Sequence, residues 1–176
     1  MSKLLASRGA QWPLFQEFIF NFNDWAVDSV DGSKKTFGAA VTNSGTVTAI
    51  DPATGDTVPL LVSGTGIVLD AIPMPIGAVL QDVKAFVETA FAGIGASATL
   101  SLGVAGNTTA VVNAADLDAA TSGSQLTVAS FSPTLCNNGQ NLRLTLAGLA
   151  ATATAGRVRI RVQYTIDGRV TENSIS

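Results

Sequence analysis

Apolar and polar residues alternate in short stretches all along this chain. The cleanest stretch is 157–166. There Val158, Ile160, Val162, Tyr164 and Ile166 share one parity, and Arg157, Arg159, Arg161, Gln163 and Thr165 share the other. Side chains on a strand point to opposite faces in turn, so this period of two predicts a strand with one buried and one polar face. Residues 96–104 repeat the pattern, with Ala96, Ala98, Leu100, Leu102 and Val104 set between Ser97, Thr99, Ser101 and Gly103. Leu142, Leu144 and Leu146 alternate with Arg143 and Thr145. Near the start, Phe18, Phe20 and Phe22 alternate with Ile19, Asn21 and Asn23. Further strands are predicted over 34–42, 46–50, 57–62, 67–72, 109–112 and 126–131, and a single helical turn over 113–120.

Turn chemistry separates these segments. Asp31-Gly32, Asn43-Ser44-Gly45 and Gly106-Asn107 carry the residues that tight turns require. Asp51 to Asp56 forms the tip of a hairpin over 42–63 that reads as an insertion. Pro73 and Pro75 cannot donate to a ladder, so 73–76 is an edge or a corner. One segment is ambiguous. Val79, Leu80, Val83, Phe86, Val87, Ala90 and Phe91 fit a helical stripe, whereas Val79, Val83, Ala85, Val87 and Thr89 fit one face of a strand. Periodicity alone slightly favours the helix. Many short strands with frequent turns predict an all-β sandwich or barrel. The expected layout is an N-terminal arm over 1–16, one domain over 17–172 and a tail over 173–176.

Composition narrows the chemistry. The chain has 176 residues, no histidine and one cysteine, Cys136. That excludes a Ser-His-Asp triad, a Cys-His pair, a histidine metal site and an internal disulfide. A net charge of −3 argues against a strongly basic nucleic-acid binder. Residues 1–10 hold Lys3 and Arg8 but no apolar core long enough for a signal peptide. The uncharged runs 89–115 and 119–142 are interrupted throughout by Gly, Ser, Thr and Asn, unlike a membrane helix. A mean hydropathy of +0.36 with only 13% charged residues suggests that partner chains cover part of the surface.

Several local patterns invite a chemical reading. Gly93-x-Gly95-x-x-Ala98, with Asp116 downstream, matches a dinucleotide fingerprint. That motif needs a helix opening at its glycines, and 96–104 alternates as a strand. Asp51 and Asp56 are too few for calcium, which takes six to eight oxygens. Asp116 and Asp118 read as solvated loop charges rather than paired catalytic carboxylates. Asn107-Thr108-Thr109 is a glycosylation sequon with no secretory signal to give it meaning. Cys136 has no basic neighbour in sequence to activate it. No catalytic residue, cofactor or metal site is expected.

Two features read as interaction surfaces. Arg157, Arg159 and Arg161 project from one strand face about 6.6 Å apart. Three like charges there require acidic company. That company is either an acidic partner surface or Asp and Glu on the next strand. Trp12, Leu14 and Phe15 precede the clean alternation and are candidates for an arm that docks on another chain, with packing inside the same core as the other reading.

An ordered series of short motifs adds a resemblance. It consists of FIFNFND at 18–24, KTFG at 35–38, 71–75 followed by Gly77-Ala78-Val79, VETAF at 87–91, ATLSLG at 98–103, TAGRV at 154–158, VQYTI at 162–166 and Gly168-Arg169. Across about 17–172 the chain resembles small virion structural proteins of tailed bacteriophages, of the head decoration, or cement, type. The resemblance implies an antiparallel jelly-roll-like β-sandwich and an extended strand over 79–91. It also implies a non-enzymatic role on the outer capsid surface, bridging major-capsid-protein subunits after synthesis in the host cytoplasm. The partners it implies are the major capsid protein and the chain itself, as a homotrimer or next a dimer, with no nucleic acid and no membrane. The interface candidates are then Trp12, Leu14, Phe15, Arg157, Arg159 and Arg161, with self-association through 89–142, where only Asp116 and Asp118 are charged. The alternative is a tail, neck or fibre-associated sandwich that recognises a host glycan through exposed aromatics.

Overall fold

Leucines at 142, 144 and 146 are almost completely buried, as are Val158, Ile160 and Val162. Both triplets are the apolar parity of an alternating segment, and they lie in different sheets. The computed structural model describes residues 13–29, 32, 34–38, 46–50, 57–61 and 67–167. Among these residues there is no helix. The described residues form twelve strands in order: β1 Leu14–Asn21, β2 Trp25–Val27, β3 Lys34–Thr36, β4 Thr46–Ile50, β5 Thr57–Leu61, β6 Ile67–Ile72, β7 Ala78–Ala92, β8 Thr99–Val104, β9 Asn107–Asp116, β10 Ser124–Gln125, β11 Leu142–Ala147 and β12 Ala155–Ile166.

One four-stranded sheet has the order β1-β12-β7-β10, the other β6-β11-β8-β9, and β2-β3 and β4-β5 are two-stranded ribbons. Among the described residues every pairing is antiparallel and neither large sheet closes on itself. The inward parities of both sheets meet in one cluster that includes Phe20, Val83, Val87, Leu100, Leu102, Val112, Leu144 and Ile160. Burying a Leu, Ile or Phe side chain stabilises the fold by about 1.5–3 kcal/mol. This cluster is therefore the main source of its stability.

The ambiguous segment is strand β7. The helical signal has a structural cause. Along the ladder to β12, Asp82 pairs with Gln163 but Leu80 pairs with Tyr164, so Gln81 is an extra residue. Val87 pairs with Val158 and Thr89 with Arg157, so Glu88 is a second. A third irregularity lies between Thr89 and Ala92. Each bulge puts two residues opposite one and shifts the parity. Buried positions therefore run Leu80, Val83, Ala85, Val87 and Phe91. The steps of three and four that result imitate helical spacing.

Other differences are local. β1 begins at Leu14, so 14–16, expected in the arm, belong to a strand. The 34–42 segment gives β3 at Lys34–Thr36, paired with β2, while 39–42 lie outside the described residues. The helical turn expected over 113–120 is not formed, because β9 continues through Asp116. The strand expected over 126–131 is replaced by the two-residue β10 just before it. There the Leu126 N–H donates to Ala85 and the Ala129 N–H to Val111, single bonds to different sheets. The 46–50 and 57–61 segments pair as β4 and β5, in a ribbon of their own. The tail over 173–176 lies outside the described residues.

The β2-β3 ribbon is fastened by a buried ion pair that sequence reading did not find. Lys35 Nζ donates to Asp28 Oδ2 at 2.8 Å, with both side chains almost fully buried. The same oxygen accepts the Val68 N–H at 2.8 Å. The Ser29 N–H donates to the Val68 carbonyl, and Ser29 Oγ accepts the Asp70 N–H. Residues 28 and 29 thereby cover the free edge of β6.

Gly156 offers a test of the packing. Its φ is +148°, and a Cβ there would lie 2.5–2.6 Å from the Phe91 ring. Gly156→Ala should cost about 2–4 kcal/mol from backbone strain plus overpacking. In circular-dichroism melting that is a fall of roughly 5–15 °C. Gly106→Ala, at φ +85° but with open space around it, should cost only about 1 kcal/mol.

Candidate interaction face

The arginine strand lies in the middle of its sheet, with β1 on one side and β7 on the other. Register places Arg161 opposite both Glu17 of β1 and Lys84 of β7, and Arg159 opposite both Ile19 and Phe86. The outer face of the sheet is therefore a surface of Phe15, Glu17, Ile19, Arg157, Arg159, Arg161, Lys84, Phe86 and Glu88. Phe15 and Ile19 are exposed at 51% and 38%.

The acidic company is on the neighbouring strands. Glu88, the bulge residue of β7, reaches two arginines at once. Its Oε2 is 2.7 Å from Arg157 Nε and its Oε1 is 2.5 Å from Arg159 Nη2. A bulge re-aims the side chain it carries, and here it sets one carboxylate between two guanidinium groups. The pairing is electrostatic more than directional. The Nε–H groups of Arg157 and Arg159 are buried without an aligned acceptor, although Arg157 Nε is near Glu88. Arg161 is held more loosely. Its Nε is 4.0 Å from Glu17 Oε1, and its guanidinium carbon lies 4.5 Å from the centre of the Phe15 ring. Partly exposed pairs of this kind contribute about 0–1 kcal/mol each. The face is therefore closer to charge-balanced than the bare arginine row implied, with a shallow cleft of about 280 Å³ between Glu17, Glu88, Arg159 and Arg161.

The expected interface residues separate. Phe15 shares the outer face with the three arginines. Leu14 has the opposite parity, is half-buried and packs against the core. Trp12 lies outside the described residues. The other tryptophan, Trp25, lines a groove of about 310 Å³ with Phe18, Phe20, Phe37, Asp24 and Leu69. The Lys34 ammonium sits 4.2 Å from the centre of the Trp25 ring, occupying one of its faces. Asp24 Oδ2 already accepts the backbone and side-chain N–H groups of Asn21.

The other candidates resolve simply. Gly93 and Gly95, each at φ +80°, lie between β7 and β8, with no helix after them to receive a phosphate. Asp116 Oδ1 accepts the N–H groups of Asp118 and Ala119. It is thus a local turn-former at the end of β9. Asp51 and Asp56 lie outside the described residues. Among the described residues, no three His, Cys, Asp or Glu side chains gather where a metal ion would be held. No helix there is long and apolar enough to cross a membrane. Arg143 pairs with Asp70 through Nε–Oδ1 at 2.7 Å and Nη2–Oδ2 at 3.2 Å, bridging β11 to β6. Glu88 and Asp28 were the important residues that sequence reading missed. Both act through geometry, a bulge and a buried ion pair, which residue spacing does not encode.

Cys136 is fully buried, and desolvation raises its thiol pKa to about 11. Its thiolate is therefore scarce below that pH. At pH 8, Ellman's reagent should leave the native protein unlabelled over an hour and react fully once guanidinium unfolds it; rapid native labelling would contradict the burial.

No family model matches the chain, and no curated protein sequence matches it. Among solved structures the chain is similar to one described as "Cyanophage Pam1 capsid asymmetric unit", at 17% identity and a TM-score of 0.48, over 90% of this chain and 89% of that one.

Proposed function

We propose that the protein is a non-enzymatic structural component of a phage virion, a decoration protein bound to the outer surface of the head. The domain is read as a jelly-roll-like sandwich of its two four-stranded sheets. The observation that carries the reading is the outer face of the β1-β12-β7-β10 sheet. It combines exposed Phe15 and Ile19 with three arginines that its own acids engage only in part. An apolar anchor beside guanidinium groups suits docking on an acidic protein surface. The motif series across 17–172 supports the same reading. So does the composition, in which Ala, Gly, Thr, Val and Ser make up more than half of the chain and histidine is absent.

The mechanism is mechanical. Each copy contacts more than one major-capsid subunit, so its binding free energy is added to the shell. Symmetry repeats a modest contact many times, and avidity replaces a single tight site. Partners are the major capsid protein and other copies of this chain, as a trimer or a dimer. The glycan-binding alternative needs an open aromatic platform. The groove at Trp25 supports it less, because Lys34 covers one ring face and Asn21 engages Asp24.

Replacing Arg157, Arg159 and Arg161 together with Ser should leave the melting temperature within a few degrees, since exposed pairs contribute about 0–1 kcal/mol each. The variant should lose at least ten-fold in co-sedimentation with shells that lack the protein. Unchanged co-sedimentation by a folded variant would remove this face from the shell contact.

A further inference from the structure

Strand edges expose unpaired N–H and C=O groups, and folds normally shorten, cover or charge them. Two of the four edges of the large sheets are treated in this way, and a third, β9, is broken by two register shifts. β6 is covered by Asp28 and Ser29. β10 is two residues long, and beyond it the β7 edge is covered by Ser122, Gly123, Leu126 and Pro133. β9 receives the Ala129 N–H at Val111. The fourth edge, β1, is eight residues long, contains no Pro, Lys or Gly, and has no bulge.

The Phe22 N–H donates to Gly156, which fixes the parity of the β1 ladder. Even-numbered residues of β1 bond to β12, and odd-numbered ones point their backbone groups away from the sheet. At one end, the outward groups of Asn21 are both engaged with Asp24, its N–H at Oδ2 and its carbonyl with the Asp24 N–H. At the other end, Pro13 has no N–H to offer. The free window is therefore Phe15, Glu17 and Ile19, and it is centred on Glu17. For these three, no backbone hydrogen bond is found among the described residues.

We infer that β1 pairs with β1 of a second copy, antiparallel about a two-fold axis at Glu17, to make one continuous eight-stranded sheet. The window is self-complementary. Pairing 17 with 17 sets each Phe15 opposite the partner's Ile19, so that these two exposed apolar side chains cover each other. It forms about six main-chain hydrogen bonds, two at each of three opposed pairs. The same register aligns a row across the sheet, Lys84, Arg161 and Glu17 of each copy, with two carboxylates in the middle flanked by cations. A two-fold contact closes on itself and does not propagate into a fibre. This inference rests only on the self-association part of the proposed function; it takes Phe15 and Ile19 into the two-fold contact and leaves the arginine row as the part of this face that would meet the shell.

The test uses the isolated full chain. Light scattering and sedimentation should show a concentration-dependent dimer, and hydrogen exchange should show Phe15, Glu17 and Ile19 amides protected in the dimer. Glu17→Pro removes an outward N–H and leaves the β12 ladder intact. It should keep the fold and give a monomer at every concentration. Glu17→Gln removes the like-charge pair and should tighten the dimer about two- to five-fold. If Glu17→Pro does not fold, cysteine cross-linking decides. Glu17→Cys should oxidise rapidly to a linked dimer, because residue 17 faces itself, whereas Phe15→Cys should not. A protein that stays monomeric, an oligomer indifferent to Glu17→Pro, protection of the three amides in a monomer, or equal cross-linking at 15 and 17 would each overturn the inference.

Discussion

The alternation of β12 is the constraint on which the rest of the structure depends. This twelve-residue strand has neighbours on both sides, so each of its faces must suit three strands at once. Its even positions, Val158 to Tyr164, are buried and join its sheet to the leucines of β11 and β8 across the core. Its odd positions place a row of arginines on the outside. A slip of one residue would bury guanidinium groups and expose valines, so the register is strongly specified. The core and the candidate interface are thus two faces of one strand.

β7 adapts to that strand by bulging. Its fifteen residues pair with the twelve of β12, and the surplus appears as register shifts. One of them puts Glu88 between Arg157 and Arg159. The same irregularity that keeps Val87 in the core therefore moderates the charge of the outer face. What remains outside is an apolar pair, Phe15 and Ile19, beside partly engaged arginines. An apolar pair beside guanidinium groups is the combination on which the proposed docking role rests.

The sequence made the fold legible where the period of two is unbroken. β6 runs over 67–72 as expected, and β11, β12 and the β4-β5 pairing follow their patterns closely. It failed where spacing and geometry part company. Bulges turned the parity of β7 into a helical stripe. Residues 113–120 carried polar and turn-forming side chains, yet pairing with β8 drew β9 out to Asp116. On the outer face of the β1-β12-β7-β10 sheet, the shared parity of the arginines was legible, and Leu14 sits with the core because its parity is opposite to that of Phe15. Glu88 and the Asp28–Lys35 pair were not visible, since a bulge and a buried ion pair join residues through tertiary placement.

The proposed role on a symmetric shell makes one quantity decisive, the number of copies of this chain per particle. Quantitative mass spectrometry of purified virions, measured against the major capsid protein, reads it directly. A decoration protein repeated over the shell gives a ratio near one or a simple fraction such as one-third. A few copies per particle, or none, would contradict the decoration role and place the protein in a tail or neck, or outside the virion.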